Sequence, residues 1–310
     1  MTTAAHPLPS EQEVLSYFET CSNWGRWGPD DSLGTINLIT PEKRREAAKL
    51  VRTGRPVSLA YPLNTLGGPG NLNPAHHFVR FTDAFSMDYI GLLFHGYATT
   101  HIDALCHIFH EGKMYNGKTA ASEVTSFGAR HGAVDAWEDG IITRGVLIDI
   151  PRFRGVPFVV PGEPVRGWEI EAAAEQQGTS LEPGDALVVF SGRGAYYAAN
   201  PHHIPGTPPA PGLHADTVPV LRRHDASLLV WDMMDARPSG YEAFDGEGGT
   251  GLPVHTLTIV MLGLPLLDNA RLEPLAKACA EENRWEFMLT VNPLHVRGGT
   301  GSPVNPIALF

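Results

Sequence analysis

Short apolar runs carrying β-branched residues recur along the chain at 57–61, 77–81, 87–94, 145–150, 186–190, 227–231 and 286–291, and each predicts a strand. The stretches between them predict helices over 11–20, 167–177, 215–223, 253–262 and 273–282. A further helix starts at Thr40-Pro41-Glu42-Lys43, where Thr40 can cap and Pro41 takes the first turn, and ends near Thr53 and Gly54. Glu182-Pro-Gly184-Asp185 reads as a turn feeding a buried strand. The first half is richer in strand, and in the second half strands alternate with helices. That predicts an α/β, or mixed α+β, fold around a mixed sheet. The 33 glycines and 26 prolines are spread throughout, so tight turns between short elements are expected. No repeat, low-complexity segment or interdomain linker interrupts the pattern.

At 310 residues the chain can bury a full core. Apolar residues at 43% and charged residues at 18% describe an ordinary globular composition. The net charge of −11 argues against nucleic acid, which needs a basic footprint, and is that of a solvated acidic surface. No stretch reaches the ~18 apolar residues needed to span a bilayer. Residues 1–12 lack a basic start followed by an apolar run, so no signal peptide is expected. Cys21, Cys106 and Cys279 are too few and scattered for a disulfide framework, and a reducing cytoplasm is the expected compartment.

The chemistry concentrates in His95-Gly-Tyr-Ala-Thr-Thr-His101-Ile-Asp103-Ala-Leu-Cys-His107. Imidazole nitrogen and carboxylate oxygen are the donors zinc and manganese take. In an extended segment alternate side chains share a face, so His101 and Asp103 can hold one ion together. His107, four residues beyond Asp103, is placed to be a further ligand or an acid/base. A buried histidine cluster satisfied by hydrogen bonds is the competing reading. Cys106, inside the cluster, reads as a small packing residue because nothing around it supplies a lowered pKa. Downstream, Gly248-Gly-Thr-Gly251-Leu-Pro-Val-His255 brings a histidine onto a predicted helix start. Its glycines could bring backbone N–H groups to a developing oxyanion. Asp268, ending the run Leu266-Leu267-Asp268-Asn269, reads as a cap for the helix starting near Leu272 or as a further carboxylate ligand. His110, His131, His202, His203, His214, His224 and His295 have no motif support and read as surface or structural residues. Trp24 and Trp27 could line a substrate pocket or pack in the core.

Taken together, His101-x-Asp103-x-x-x-His107, His255 and the acidic residue thirteen positions later resemble the metal-dependent cyclase family, which includes bacterial kynurenine formamidase and isatin hydrolase. Trp27-Gly-Pro-Asp-Asp-Ser-Leu-Gly-Thr-Ile-Asn37-Leu and Gly298-Gly-Thr-Gly-Ser-Pro-Val-Asn305-Pro look like signatures of a longer bacterial branch. Leu181-Glu-Pro-Gly184-Asp185-Ala-Leu-Val-Val is similar to the family's central strand, and the likeness runs over nearly the whole chain. The resemblance implies a swivelling β/β/α domain with a mixed sheet and flanking helices, assembled as a homodimer or larger homo-oligomer. Residues 1–310 would form this one domain, with 1–55 an N-terminal extension and 56–310 the catalytic core. His101, Asp103, His255 and Asp268 would be ligands of Zn²⁺ or Mn²⁺, and His107 the proton donor and acceptor. Asp268 stands where the family usually has glutamate, and Tyr97 where it has its first histidine. His95 could take that place only if the backbone differs locally. One tightly held ion per chain is therefore expected, with Tyr97 or His95 near the second position and Tyr97 free to meet the substrate.

The reading this supports is a metal-dependent hydrolase that uses a metal-bound water to cleave an amide, cyclic amide or lactone of a small molecule. A metal-dependent cyclase or dehydratase of secondary metabolism, and a non-catalytic family member, are the alternatives.

Overall fold

The computed structural model describes residues 6–310. Thirteen strands are present among them: β1 (Pro56–Ser58), β2 (His76–Phe81), β3 (Ser86–Gly91), β4 (His101–Asp103), β5 (Val124–Thr125), β6 (Gly128–Ala129), β7 (Ile141–Asp149), β8 (Ala186–Phe190), β9 (Leu228–Trp231), β10 (Leu266–Asp268), β11 (Glu286–Val291), β12 (Gly301–Pro303) and β13 (Ile307–Leu309). Nine of them form one sheet in the order β1-β13-β11-β7-β8-β9-β10-β4-β12. Its centre, β7 to β10, is parallel, and both flanks are antiparallel. The expected mixed α/β architecture is therefore present.

The centre of the sheet is buried on both faces, which is why its strands there read as continuous apolar runs. Ile148, Leu187, Val189, Leu229, Trp231 and Leu266 point into one core, while Leu147, Val188, Leu228, Val230 and Leu267 point into the other. The helices Gly167–Gln177 and Val218–Arg223 cover the first core with Ile170, Ala173, Val218 and Leu221. Glu273–Glu282 covers the second with Leu275, Ala278 and Cys279.

Three expected elements are corrected. The helix capped by Thr40, whose hydroxyl accepts from Lys43 N at 3.1 Å, spans Pro41–Lys49 and stops short of Thr53. The N–H groups of Thr53 and Gly54 instead donate to the carbonyl of Phe310, which draws the chain toward the terminal strands. The 253–262 helix is one short turn, Pro253–His255, followed by a π-helix over Thr256–Leu262. There the hydroxyls of Thr256 and Thr258 bond the carbonyls of Leu252 and Val254, four residues back, and compete with the backbone ladder. Finally, Asp268 is no helix cap, since the residue before Glu273–Glu282 is Leu272 and Asp268 ends the buried strand β10.

Candidate metal centre

The centre is built on β4 by the period of two that the sequence carries. Across the antiparallel pair β4–β10, His101 faces Asp268 and Asp103 faces Leu266, so all three polar side chains lie on one face of the sheet. Ile102 between them points into the opposite core. β12 closes the other side of β4, with Gly301 opposite Asp103. His255 reaches the same place from the short turn Pro253–His255.

Every one of these groups is buried. His255 Nε2 lies 3.1 Å from Asp268 Oδ2 and 3.9 Å from Asp103 Oδ2. His101 Nε2 lies 3.3 Å from Asp103 Oδ1 and 4.0 Å from Asp268 Oδ2. His95 Nδ1 lies 2.8 Å from Asp103 Oδ1, and His107 Nε2 lies 3.8 Å from Asp103 Oδ2. Two groups of potential ligand atoms result, His95–His101–Asp103 and Asp103–His255–Asp268, with Asp103 common to both.

Three buried carboxylates draw positive charge into this space. Burial opposes charge on both rings, yet Asp103 and Asp268 hold His101 above the ordinary histidine range. In the same way Asp268 and Asp235 hold His255 well above it. Burial would raise Asp103, but His101, His95 and His107 together hold it well below the usual carboxylate range. Asp103 Oδ2 is buried without a hydrogen-bond partner, an expensive condition for a carboxylate oxygen. A divalent cation among these nitrogen and oxygen donors would satisfy it, so the residues present fit a divalent metal ion.

The surroundings orient the imidazoles as ligands require. His101 donates from Nδ1 to the carbonyl of Thr99 at 2.8 Å, and His255 Nδ1 is bonded to Asp235, which leaves both Nε2 atoms facing the centre. Trp231, one strand over, donates its indole N–H to Asp268 Oδ1. Asp235 and Trp231 were not visible as site residues in the sequence, because only the sheet brings β9 and the following loop beside β10.

His95, not Tyr97, stands with the candidate ligands. Gly96 turns the backbone between them at φ +119°, a conformation open to glycine. The Tyr97 ring is thereby sent against Gly206, and its carbonyl accepts from Arg193. His95 Nε2 bonds Thr300 Oγ1 at 3.1 Å. A Cβ on Gly301 would come within 2.9 Å of the His95 ring and 2.5 Å of the Ile102 carbonyl. The Gly-Thr-Gly run therefore makes the seat of His95.

His107 stacks on His95 with ring centroids 3.7 Å apart and the planes 4° from parallel. Burial, against the pull of Asp103, lowers its pKa to about 4, so the ring is neutral and can accept a proton. Tyr97 also walls two adjoining cavities of about 180 and 830 Å³, which share Gly70, Asn71, Ala98 and Pro205. His95 and Phe94 line the smaller one.

Other expected residues lie elsewhere. Trp24 donates to the carbonyl of Val260 at 2.6 Å, and Trp27 carries the Arg26 guanidinium over its ring. Both sit in the N-terminal loop rather than among the imidazoles. The N–H groups of Gly249 and Gly251 are spent on Gly246 and Phe244, so the oxyanion role expected of them is not available. His110 stacks on Phe18, His131 bonds Ser32, His203 bonds Tyr196, His214 bonds Tyr241, and His224 and His295 lie beside Glu171 and Glu138. Cys106 is fully buried in the second core, and burial pushes its thiol up to about 12. Cys106→Ser is accordingly expected to keep turnover within a few-fold of the parent, measured in the same assay on folded protein. A folded, metal-loaded but inactive serine variant would point to a covalent mechanism.

Comparison with known proteins agrees with this fold. Residues 57–236 match the Cyclase family model, described as "Putative cyclase". A solved structure described as a novel cyclase superposes with a TM-score of 0.78 at 30% identity, over 93% of this chain and 99% of that one. Isatin hydrolase A from Labrenzia aggregata, solved with benzyl benzoate, gives 0.59 at 17% identity over 84% of this chain and 94% of its own. Its counterpart from Ralstonia solanacearum gives 0.56 at 16% over 82% and 91%. At these identities the two hydrolases share the fold. No curated protein sequence matches the chain. Among the described residues no helix is long and apolar enough to cross a membrane.

Proposed function

Because the chain belongs to the cyclase family, we propose that it is a metal-dependent hydrolase that opens the C–N bond of a small amide or cyclic amide, or a lactone. The observation that carries this reading is the unpartnered oxygen Asp103 Oδ2, set 3.8 Å from His107 and 3.9 Å from His255. His95, His101 and Asp103 would hold one divalent ion, and Asp103, His255 and Asp268 a second. When bound, such ions polarise a carbonyl and make water a nucleophile at neutral pH.

The chain's own residues supply the rest. His107, neutral and stacked on His95, takes the proton from the attacking water as its oxygen bonds the carbonyl carbon. The C–N or C–O bond then breaks, and His107 returns the proton to the leaving nitrogen or oxygen. Asp103 aligns His95 and His101, while Asp235 fixes the tautomer of His255. The larger of the two cavities that Tyr97 walls, at about 830 Å³, is of the size small-molecule sites have.

Hydrolysis in ¹⁸O-labelled water, with formamides, cyclic imides and lactones as substrates, tests the reaction. One labelled oxygen in the product carboxylate is expected. An unlabelled cyclised or dehydrated product would sink the hydrolase reading and favour the lyase. The ion count follows from His95. Where the sequence predicts one tightly held ion, His95 fills the position Tyr97 was expected to leave weak, so elemental analysis of protein purified without chelator is expected to give two zinc or manganese ions per chain. A count of one at saturation contradicts this.

A further inference from the structure

His95 opens a turn, residues 95–100, that lies outside every strand and helix and leads into His101 at the start of β4. The His95 ring is seated by Asp103 and Thr300, but its backbone goes wherever this turn goes. Three carbonyls of the turn are held from other elements. Asn269 donates from Nδ2 to the carbonyl of Gly96 at 2.6 Å and to that of Thr99 at 3.0 Å. Arg193 donates from Nη2 to the carbonyl of Tyr97 at 2.6 Å. The Thr99 carbonyl is also the one that accepts from His101 Nδ1, so Asn269 and His101 meet on one oxygen.

The two side chains are themselves fixed. Asn269 is buried, follows Asp268 at the end of β10, and takes a φ of +53°, a left-handed conformation that asparagine adopts more readily than most residues. Its Oδ1 accepts from Arg193 Nη1 at 2.8 Å, and its own carbonyl accepts from Thr100 Oγ1 at 2.7 Å. Both ends of the Asn269 amide are therefore in use, which sets its orientation. Arg193 Nη1 also reaches the carbonyl of Asp232 at 3.1 Å. The backbone N–H groups of Ser191, Gly192 and Arg193 donate at 2.8 to 2.9 Å to the carboxylate of Asp232, which is wholly buried. A charged guanidinium is thus spent on three neutral oxygens, in hydrogen bonds stronger than a neutral donor would make.

We infer, on the metal-centre reading above, that Arg193 and Asn269 are positioning residues: they hold the turn so that His95 and His101 keep ligand spacing with Asp103. The placement has a selective consequence. The turn carries only the group His95–His101–Asp103, because His255 arrives from the short turn Pro253–His255 and Asp268 from β10. Loosening it should weaken one ion and spare the other. A side chain that only stabilised the fold would weaken both.

The test is zinc binding to the full chain stripped of metal, read by competition with a chromophoric chelator. Arg193 also lines the larger cavity, so turnover would mix substrate contact with the position of the turn, and binding of the metal alone does not. The parent is expected to take up two zinc ions. Arg193→Met is expected to bind one of them about 10–100-fold more weakly, the scale of losing a group behind a metal ligand, and the other within about threefold of the parent. Asn269→Ala is expected to do the same. The double variant is expected to lose no more than about threefold beyond Asn269→Ala alone, because both residues act through one turn. Arg193→Lys, which keeps the charge and the aliphatic stem and with them the fold, is expected to fall between the parent and Arg193→Met. Equal weakening of both ions, or a lower melting temperature of the metal-free chain with zinc affinity unchanged, would show a structural role and overturn the inference. So would single losses that add in full in the double variant. An affinity unchanged in every variant overturns it whether the parent holds two ions or one. A parent that takes up no zinc removes the metal centre itself, and the positioning role with it.

Discussion

Asp103→Asn is expected to leave the protein with almost no bound metal and no measurable turnover. Asp103 is the one side chain common to both ligand groups, so its loss is felt twice. The amide keeps the shape but removes the charge, and its NH₂ would face imidazoles that now meet a carboxylate at 2.8 and 3.3 Å. The cost in stability should stay near about 1–3 kcal/mol, that of one mis-paired buried polar group, so the variant remains folded. Elemental analysis and a thermal melt on the same sample separate the two effects. A folded variant with a full metal complement and parental turnover would put the chemistry elsewhere.

His107→Ala should do the opposite to metal and nearly the same to rate. Its Nε2 is 3.8 Å from Asp103 Oδ2, and it belongs to neither ligand group. Its side chain keeps 26% exposure, so substrate can reach it. Turnover is expected to fall by about 10²–10⁴-fold, the scale of general acid–base work, with metal content unchanged. If metal leaves in step with activity, His107 is a ligand and another group carries the proton.

The reach of the sequence can be judged element by element. β8 and β11 have the predicted bounds, because a strand packed on one or both sides must be apolar in a regular pattern. The pair His101 and Asp103 was legible for the same reason, since a period of two is local information. As for Asp268, the residues alone left it between helix cap and ligand, and only the resemblance favoured the ligand. Its partners Trp231, His255 and His101 lie 37, 13 and 167 residues away, and a three-residue strand gives no periodicity to read. His95 was among the candidates, but whether it or Tyr97 joins the cluster turns on one backbone angle at Gly96, which no residue count along the chain reveals. β2 and β3 were foreseen as strands, but exposure on both faces is a property of what surrounds them, and alternation cannot report it.

β4 divides its three residues between two tasks, with Ile102 in a dry core and its neighbours on the polar face. A slip of one position against β10 would exchange them, burying two ionisable groups in hydrocarbon and turning the isoleucine toward the carboxylates. The strand therefore works as a checksum on its own register: a chain that closes this pair one residue out has no ion site. Metal uptake during refolding should therefore report the moment β4 docks, and chains trapped in the wrong register should be separable from native ones by metal affinity alone.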